Sequence, residues 1–243
     1  MSVRSAVRAT AVGVSVFGTA AYLSAFQPRS QVFGSFPYRG STTEKVVALT
    51  FDDGPNEPYT SRLLDVLDDR EVRATFFQVG RCVLRFPSAT RRVVASGHVL
   101  GNHSYSHAFT RYVREPGQQR EVRRAQEVLT DIAGVAPALY RPPWLCHWPW
   151  VLQTVRAEHL QVVSGTFAHP LEVFQPPAPM MTAGAAAAVR PGSILIFHDG
   201  REARGGPRDQ SVAAVGPLID RLRGEGYRFT TVDQLLGVPA YAA

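Results

Sequence analysis

Short apolar runs recur along the chain and are separated by longer stretches of mixed character. In the first run, residues 46–51 (VVALTF), five of the six residues are apolar. A continuous apolar run of this length is typical of a strand that is buried on both faces of a sheet. The strands predicted on this basis are residues 46–51, 74–79, 98–101, 138–140, 160–163, 193–197 and 228–230.

The stretches between these runs carry apolar residues three or four positions apart. Leu63, Leu64 and Leu67 show this spacing in the first such stretch. Because 3.6 residues make one turn, the spacing puts these side chains on one face of a helix. The predicted helices are residues 59–69, 82–95, 118–132, 149–158, 182–189, 210–223 and 232–236.

The regular alternation of strands and helices predicts the fold class. A strand followed by a helix returns to the same sheet as a parallel strand, which favours an α/β fold. Seven such units fit a deformed (β/α) barrel with about seven parallel strands better than an open, two-sided sheet. No internal sequence repeat is present.

Polar residues cluster just after four of the predicted strands. Two adjacent aspartates follow the first strand in TFDDGP, two histidines follow the third in GNHSYSH, and further polar residues occur in YRPPW and ILIFHDG. The C-terminal ends of parallel strands meet at one edge of a barrel, where functional residues collect. We therefore expect one site formed by Asp52, Asp53, His103, His107, Arg141 and His198.

The N-terminus predicts export from the cytoplasm. The first eight residues contain two arginines and no acid, and residues 9–26 carry no charge. A basic start followed by an apolar stretch is typical of an export signal, and 18 uncharged residues can also just span a bilayer. A cleaved signal and a retained membrane anchor both remain open. The predicted organisation is signal or anchor 1–26, linker 27–44 and catalytic domain 45–243.

Composition narrows the functional classes. The 243 residues are 45% hydrophobic, which suits one large folded domain. The net charge of +6 indicates a solvated basic helix face or attraction to anionic polymers or lipid headgroups. No nucleic-acid-binding motif is present, so we expect no nucleic acid partner. Cys82 and Cys146 could form one disulfide in an exported protein or remain two buried thiols.

The polar cluster has the composition of a catalytic metal site. His103 and His107 are four residues apart, which on one helical turn would bring both imidazoles to a single cation. Adding one aspartate gives three ligands and leaves positions open for water. Such ligands suit Zn²⁺, Co²⁺, Mn²⁺, Ni²⁺ or Fe²⁺, with zinc favoured by its availability. Because Asp52 and Asp53 point in opposite directions along a strand, one can bind the metal while the other acts as a base.

Four motifs resemble those of one enzyme family. TFDDGP, HSYSH, RPPW and IFH are similar to the first, second, third and fifth motifs of the polysaccharide deacetylases, carbohydrate esterases of the nodulation-deacetylase homology type. The resemblance extends from about residue 45 to residue 238. It implies a deformed (β/α) barrel and a divalent metal ion. It also implies that Asp53, His103 and His107 bind that metal.

The resemblance further implies a role for each remaining residue. Asp52 would be the catalytic base, and Arg141 would hold it ionised and oriented. His198 would be the general acid, and Trp144 would lie beside the oxyanion site together with Pro143. The chemistry is coherent, because a carboxylate can activate water while a protonated imidazole assists departure of the amine.

One family motif has no clear counterpart in this sequence. The fourth motif is an Asp-x-x-Asp-Trp-like stretch, whereas the corresponding region here is VVSGTFAHPLEVF, with Phe167 and Pro170 near the positions of the acids. In the family, that aspartate is the partner of the acid histidine. The candidates to replace it are Glu172, Asp199 and His169.

The sequence thus predicts an exported, monomeric hydrolase that removes N-acetyl groups from N-acetylhexosamine units of a cell-wall or extracellular polysaccharide. An O-acetyl esterase is the near alternative, because an ester needs the general acid less. A non-haem iron oxygenase also uses two histidines and a carboxylate, but such sites usually lie in antiparallel β-sandwiches. A non-catalytic glycan-binding relative is disfavoured by the retention of Asp52, Arg141 and His198.

Overall fold

All pairings between the named strands are parallel. The computed structural model describes residues 19, 22–112 and 117–242. Within these ranges, eight strands form one sheet in the order β5-β4-β3-β2-β1-β7-β6, and β8 also pairs with β1. The strands are β1 Val46–Asp52, β2 Thr75–Gln78, β3 Val99–Asn102, β4 Leu139–Tyr140, β5 Gln161–Val162, β6 Thr166–Phe167, β7 Ser193–His198 and β8 Arg228–Thr230.

The helices cover the outside of this curled sheet. Leu63, Leu64 and Leu67 of the first helix are buried against it, as their spacing predicts. The predicted α/β class and deformed barrel are therefore confirmed. The helices are α1 Tyr59–Asp68, α2 Gly80–Arg85, α3 Pro87–Ala95, α4 Phe109–Tyr112, α5 Gly117–Ala133, α6 Pro149–Ala157, α7 Ala178–Ala188, α8 Asp209–Gly224 and α9 Val232–Leu236, with short 3₁₀ helices at Pro143–Leu145 and Glu172–Phe174.

Some local features differ from the sequence prediction. The predicted helix 82–95 is two helices, α2 and α3, that meet at Phe86, whose φ of −132° and ψ of 59° are not helical. Pro87 explains the break, since its ring disfavours the helical conformation in the residue before it. Strand β6 was not predicted, because Phe167 and Ala168 are flanked by glycine and polar residues and form no continuous apolar run.

Strand β1 lies at the centre of the sheet. It pairs with β2, β7 and β8, and its side chains alternate between two apolar clusters. Val47, Leu49 and Phe51 pack with residues of α1 and α8, whereas Ala48 packs on the other face of the strand. Both faces of β1 are covered by apolar groups, so the strand is fixed in the core. Asp52, which ends the strand, and Asp53, which follows it, are therefore held at a fixed place.

Residues 27–44, predicted as a linker, pack against the sheet. Phe36 is fully buried, and the carbonyl of Pro37 accepts the backbone N–H of Ser164 at 2.7 Å. Arg39 forms an antiparallel bridge with Ser193 of β7. The predicted signal or anchor, residues 1–26, lies outside the described residues apart from residue 19 and the helical residues 22–26. Among the residues that the structure describes, no helix has the length and apolarity needed to cross a bilayer.

The two cysteines do not form a disulfide. Cys82 and Cys146 are both buried free thiols. Burial raises the pKa of each thiol to about 12, so both stay protonated at neutral pH. Of the two alternatives that the sequence left open, the structure therefore has the unpaired thiols, which here pack as small apolar groups.

We predict that His147 makes the fold sensitive to acid. This side chain is fully buried, stacks on Phe36 with ring centroids 4.1 Å apart, and has a pKa that burial lowers to about 4. Since the unfolded histidine titrates near 6.5, the unfolded state binds more protons between pH 6.5 and 4, and stability falls as the pH drops through this window. His147→Phe should retain the stacking and remove this titration.

The measurement is urea unfolding of the wild type and of His147→Phe at pH 7 and pH 5. The wild type should lose about 2 kcal/mol more than the variant between these two values. All other groups titrate in both proteins, so the difference isolates His147. An equal loss in both proteins would contradict the prediction.

Candidate active site and metal centre

The register of the parallel strands brings the predicted polar residues to one edge of the sheet. Asp52, the last residue of β1, pairs with His198, the last residue of β7. Two strands away, Asn102 of β3 pairs with Tyr140 of β4, so the residues that follow them, His103 and Arg141, are also neighbours. Residues far apart in the chain thus converge because the strands run in the same direction.

A cavity of about 140 Å³ opens at this edge. Its walls contain six of the eight residues predicted for the site. Arg141 lies behind Asp52, fully buried, and Pro142 rather than the predicted Pro143 contributes to the wall. The residues that line the cavity are Asp52, Asp53, His103, His107, Pro142, Trp144, Leu145, Phe167, Val173, His198 and Glu202.

Asp53, His103 and His107 form a group that could hold a metal ion. Oδ1 of Asp53 lies 3.3 Å from Nε2 of His103 and 3.1 Å from Nε2 of His107. The potential ligand atoms all lie within 4.8 Å of one another, and all three residues are buried. One carboxylate and two imidazoles facing a single point fit a divalent cation with open coordination positions.

The loop that carries the two histidines was predicted incorrectly. His103 and His107 do not lie on a helical turn, because Ser104 and His107 have positive φ angles of 66° and 50°. The loop is held instead by local hydrogen bonds. The side-chain oxygen of Asn102 accepts the N–H of Ser104 at 2.9 Å, and the hydroxyl of Ser104 accepts the N–H of His107 at 3.2 Å. The two imidazoles still face the same point, because this turn, rather than a helix, brings them together.

The surroundings of the group orient its potential ligand atoms. Nδ1 of His103 donates to the carbonyl of Arg141 at 2.7 Å, so its Nε2, which faces Asp53, is the nitrogen that would bind a cation. Burial would raise the pKa of Asp53, but His107 and His103 outweigh it and hold the pKa well below its usual range. The backbone N–H of Glu202 donates to Oδ2 of Asp53 at 2.8 Å and orients the carboxylate further.

Asp52 is held by a fully buried arginine. Nη1 of Arg141 donates to Oδ1 of Asp52 at 2.7 Å and to the hydroxyl of Thr50 at 2.6 Å, while Nη2 donates to the carbonyl of Ser164 at 3.0 Å. Hydrogen bonds of this charge-assisted kind are short and directional. The pairing leaves Asp52 on the cavity wall in one orientation, next to the potential metal ligands.

His198 has a carboxylate partner that the sequence did not identify uniquely. Its Nδ1 lies 2.7 Å from Oε2 of Glu172, which is buried and also accepts the hydroxyl of Ser211. Burial alone would lower the pKa of His198, but the carboxylate of Glu172 outweighs it and raises the pKa to about 9. The imidazole is therefore protonated at neutral pH.

Glu172 thus occupies the role for which three residues were candidates. Asp199 instead accepts the hydroxyl of Thr60 at 2.6 Å, and Nδ1 of His169 accepts the N–H of Leu171 at 3.1 Å. A signal was present in the sequence, since Glu172 is the only acidic residue between positions 158 and 199.

Two wall residues, Glu202 and Trp144, meet across the cavity. Glu202 was not predicted, and the loop that carries it shows no motif that would have revealed it. Its Oε1 accepts Nε1–H of Trp144 at 3.4 Å. The ring of Trp144 also makes edge contacts with His107 and Phe109, with centroids 4.3 and 5.2 Å apart. Trp144 therefore lies beside the potential metal ligands, and its place at an oxyanion site stays a prediction.

Comparison with known proteins gives relatives that are named as deacetylases. A family model described as polysaccharide deacetylase matches residues 39–163. A peptidoglycan-N-acetylglucosamine deacetylase of Bacillus cereus is 31% identical over 201 residues, which cover 83% of this chain and 72% of that protein. A crystal structure of a peptidoglycan N-acetylglucosamine deacetylase has a TM-score of 0.77 at 29% identity and covers 85% of this chain and 95% of its own.

A third relative is an esterase. The structure of a family 4 acetyl xylan esterase from Clostridium thermocellum, in complex with a cobalt ion, has a TM-score of 0.72 at 34% identity and covers 81% of this chain and 94% of its own. The family match spans just over half of the chain, and both kinds of enzyme align with more than four fifths of it. Together with the parallel barrel and the convergence of the four motifs on one cavity, these matches show that the chain belongs to the polysaccharide deacetylase family.

Proposed function

We propose that this protein is a metal-dependent hydrolase that removes N-acetyl groups from N-acetylhexosamine units of a cell-wall or extracellular polysaccharide. The observation that carries the proposal is the Glu172–His198 pair, because a protonated imidazole and the carboxylate of Asp52 then border the same cavity. Breaking an amide needs both a base for water and an acid for the departing amine. The peptidoglycan deacetylases among the relatives support the choice of an N-acetylated wall polymer.

One divalent cation would be held by Asp53, His103 and His107. Zinc is favoured by availability, and Co²⁺, Mn²⁺, Ni²⁺ or Fe²⁺ suit the same ligands. When bound, such an ion lowers the pKa of a water molecule and polarises the acetyl carbonyl. The cobalt ion in the structure of the acetyl xylan esterase supports a divalent metal here.

Asp52 would take the proton from the attacking water. Its carboxylate borders the cavity and is fixed by the 2.7 Å bond from Arg141. A base that is already oriented has a smaller entropic cost when it reacts with the water. Arg141 contributes without touching the substrate, since it is fully buried behind Asp52, so it acts as a positioning residue.

His198 would give a proton to the nitrogen of the departing sugar amine. Nδ1 is engaged by Glu172, so Nε2 is the nitrogen from which a proton can reach the cavity. An amine is a poor leaving group unless it is protonated, whereas an alcohol leaves more readily. An imidazole whose pKa is raised to about 9 is therefore better suited to an amide than to an ester.

The remaining wall would receive the acetyl group. Leu145 and Val173 offer apolar surface for a methyl group. Trp144, by the family resemblance, would present its backbone N–H to the developing negative charge on the carbonyl oxygen. We propose this role for Trp144 because its side chain already lines the cavity beside His107.

An O-acetyl esterase is a second candidate function. The acetyl xylan esterase of Clostridium thermocellum supports it, since it shares the fold and 34% of the residues. Both reactions use the same base and metal group, so the two functions differ chiefly in how far they depend on His198. A panel of matched N-acetyl and O-acetyl substrates separates them.

We also propose that the protein acts outside the cytoplasmic membrane as a monomer. The basic start and the uncharged stretch 9–26 support export through a cleaved signal or a retained anchor. The relatives named for peptidoglycan act on a polymer of the cell wall, which agrees with this location. Residues 27–44 would connect this N-terminal segment to the domain while packing on it.

Acetate release tests the proposed function. The purified protein should release acetate from at least one N-acetylated glycan, should lose this activity with a chelator, and should regain it when Zn²⁺ or Co²⁺ is added. His103→Ala should bind far less than one metal ion per chain, because two remaining ligands hold zinc poorly. His159→Ala, at a histidine outside the cavity, is the matched control and should keep its metal. Full metal content in His103→Ala would reject the assigned ligands.

Substitutions of the two adjacent aspartates should have different effects on metal content and activity. Asp53→Ala deletes a ligand, so metal and activity should be lost together. Asp52→Asn keeps the size of the side chain but removes the basic oxygen, so it should keep its metal and lose turnover by about 10²- to 10⁴-fold. Elemental analysis and acetate release measure the two effects. If Asp52→Asn loses the metal and Asp53→Ala keeps it, the two roles are reversed.

The pH profile tests the pairing of His198 with Glu172. The acid works only while it is protonated, so activity should fall as the pH rises through the pKa of His198. Glu172→Gln removes the charge that raises this pKa, and the alkaline limb of kcat/KM should therefore move to lower pH. Amide substrates should be affected more than esters. Glu158→Gln, whose carboxylate pairs with Arg123, is the control and should leave the profile in place. An unmoved limb in Glu172→Gln would show that Glu172 does not tune the acid.

A further inference from the structure

The loop from Asn102 to His107, which we call the histidine loop, has a backbone conformation that needs support. Ser104 and His107 have positive φ angles of 66° and 50°. Residues other than glycine rarely adopt such angles, and they keep them only where the surrounding structure enforces them. The positions of both imidazoles therefore depend on how neighbouring elements hold this loop.

The two histidines of the loop are fixed in different ways. Nδ1 of His103 donates to the carbonyl of Arg141 at 2.7 Å, and this hydrogen bond orients the ring directly. Nδ1 of His107 is buried and has no hydrogen-bond partner among the residues that the structure describes. The direction in which His107 points is therefore set by its backbone and by the edge contact of its ring with Trp144.

Helix α5 contacts the residue immediately before His107. Oε2 of Glu121 accepts both the backbone N–H and the hydroxyl of Ser106, each at 2.7 Å. Glu121 is 7% exposed and Ser106 is 5% exposed, so water competes little for these bonds. Hydrogen bonds to a carboxylate are among the stronger ones in proteins. The backbone that leads into His107 is thereby held against α5.

The same helix supports the start of the histidine loop. Nδ2 of Asn102 donates to the carbonyl of Val122 and to Oε1 of Gln126, both at 3.0 Å. The side-chain oxygen of Asn102 is then turned toward the N–H of Ser104, which it accepts at 2.9 Å. Because Glu121 and Val122 are adjacent in α5, one turn of this helix holds both ends of the loop.

An ordinary ion pair does not account for the burial of Glu121. The nearest arginine is Arg111, whose Nη1 lies 3.5 Å from Oε1 of Glu121 and whose side chain is 64% exposed. Ion pairs with an exposed partner stabilise a fold only slightly. The closer partner of Glu121 is Ser106, so the contact with the histidine loop is the main role of this carboxylate.

We propose that Glu121 is a positioning residue of the metal centre, and that it sets the place of His107 through Ser106. The inference rests on the proposed function, because it takes Asp53, His103 and His107 as the metal ligands. Glu121 does not border the cavity, so it would touch neither the metal nor the substrate. Residues that orient ligands in this way typically change metal affinity about 10- to 100-fold.

Zinc affinity, measured on the full chain against a competing chelator, tests the proposal. Glu121→Ala should bind zinc about 10- to 100-fold more weakly than the wild type, because His107 is no longer held in place. Glu121→Gln keeps an acceptor oxygen and should retain most of the affinity. Ser106→Ala loses the hydroxyl but keeps the N–H, so its affinity should fall only about 2- to 10-fold. The control is Glu127→Ala, which removes an exposed carboxylate from the same helix.

The visible spectrum of bound Co²⁺ distinguishes positioning from a general effect on the fold. This spectrum depends on the number and geometry of the ligands, so it should change in Glu121→Ala at saturating Co²⁺ and at a temperature where circular dichroism shows a folded protein. The spectrum of Glu127→Ala should match that of the wild type. If Glu121→Ala does not fold, the zinc affinity of Ser106→Ala decides the matter.

These measurements do not require turnover, so they separate the proposal from the proposed function. Zinc binding that depends on Glu121 in a protein that releases no acetate would support the positioning role and reject the deacetylase function. Acetate release by the wild type, with unchanged zinc affinity in Glu121→Ala and Ser106→Ala, would overturn the positioning role and leave the function in place. An equal loss of affinity in Glu127→Ala would also overturn it, because the effect would then belong to the helix as a whole.

Discussion

The guanidinium of Arg141 is the group around which the site is built. The guanidinium is fully buried and donates hydrogen bonds to Thr50 and Asp52 of β1 and to the carbonyl of Ser164. The backbone carbonyl of Arg141 accepts a hydrogen bond from Nδ1 of His103. A buried charge without partners costs several kcal/mol, and the hydrogen bonds of the guanidinium compensate that cost. Together with the bond to the carbonyl, they also hold Asp52 and His103 in fixed positions on either side of Arg141.

The site contains a second pair of opposite charges, formed by His198 and Glu172. Asp52 faces a permanent cation, whereas His198 faces the carboxylate of Glu172, which raises its pKa. One environment favours a proton acceptor and the other a proton donor, although the two residues are neighbours in the sheet register. The short turn Glu172–Phe174 carries the carboxylate that binds His198, so the raised pKa of His198 depends on how this one segment packs.

The sequence determined those features that depend on local pattern and on strand ends. Periodicity predicted the α/β barrel and most elements, because each strand and helix must bury its own apolar face. The motifs placed Asp52, Asp53, His103, His107 and His198 at one edge, because parallel strands end together. The same reasoning failed for the turn between the two histidines. A spacing of four residues fits a helix and a hydrogen-bonded loop equally well, and only the φ angles of that loop distinguish them.

The tertiary structure alone decided which residues of the loops meet the motifs. Glu172, Asp199 and His169 were all candidates in the sequence, and Glu172 is the partner of His198 because its turn brings the carboxylate between β7 and Ser211 of α8. Glu202 belongs to no motif, yet its backbone N–H holds Asp53. Contacts of this kind join residues that are 26 and 149 positions apart. Side chains so distant in the chain do not influence one another's local pattern, so their meeting depends on how the whole sheet and its loops pack.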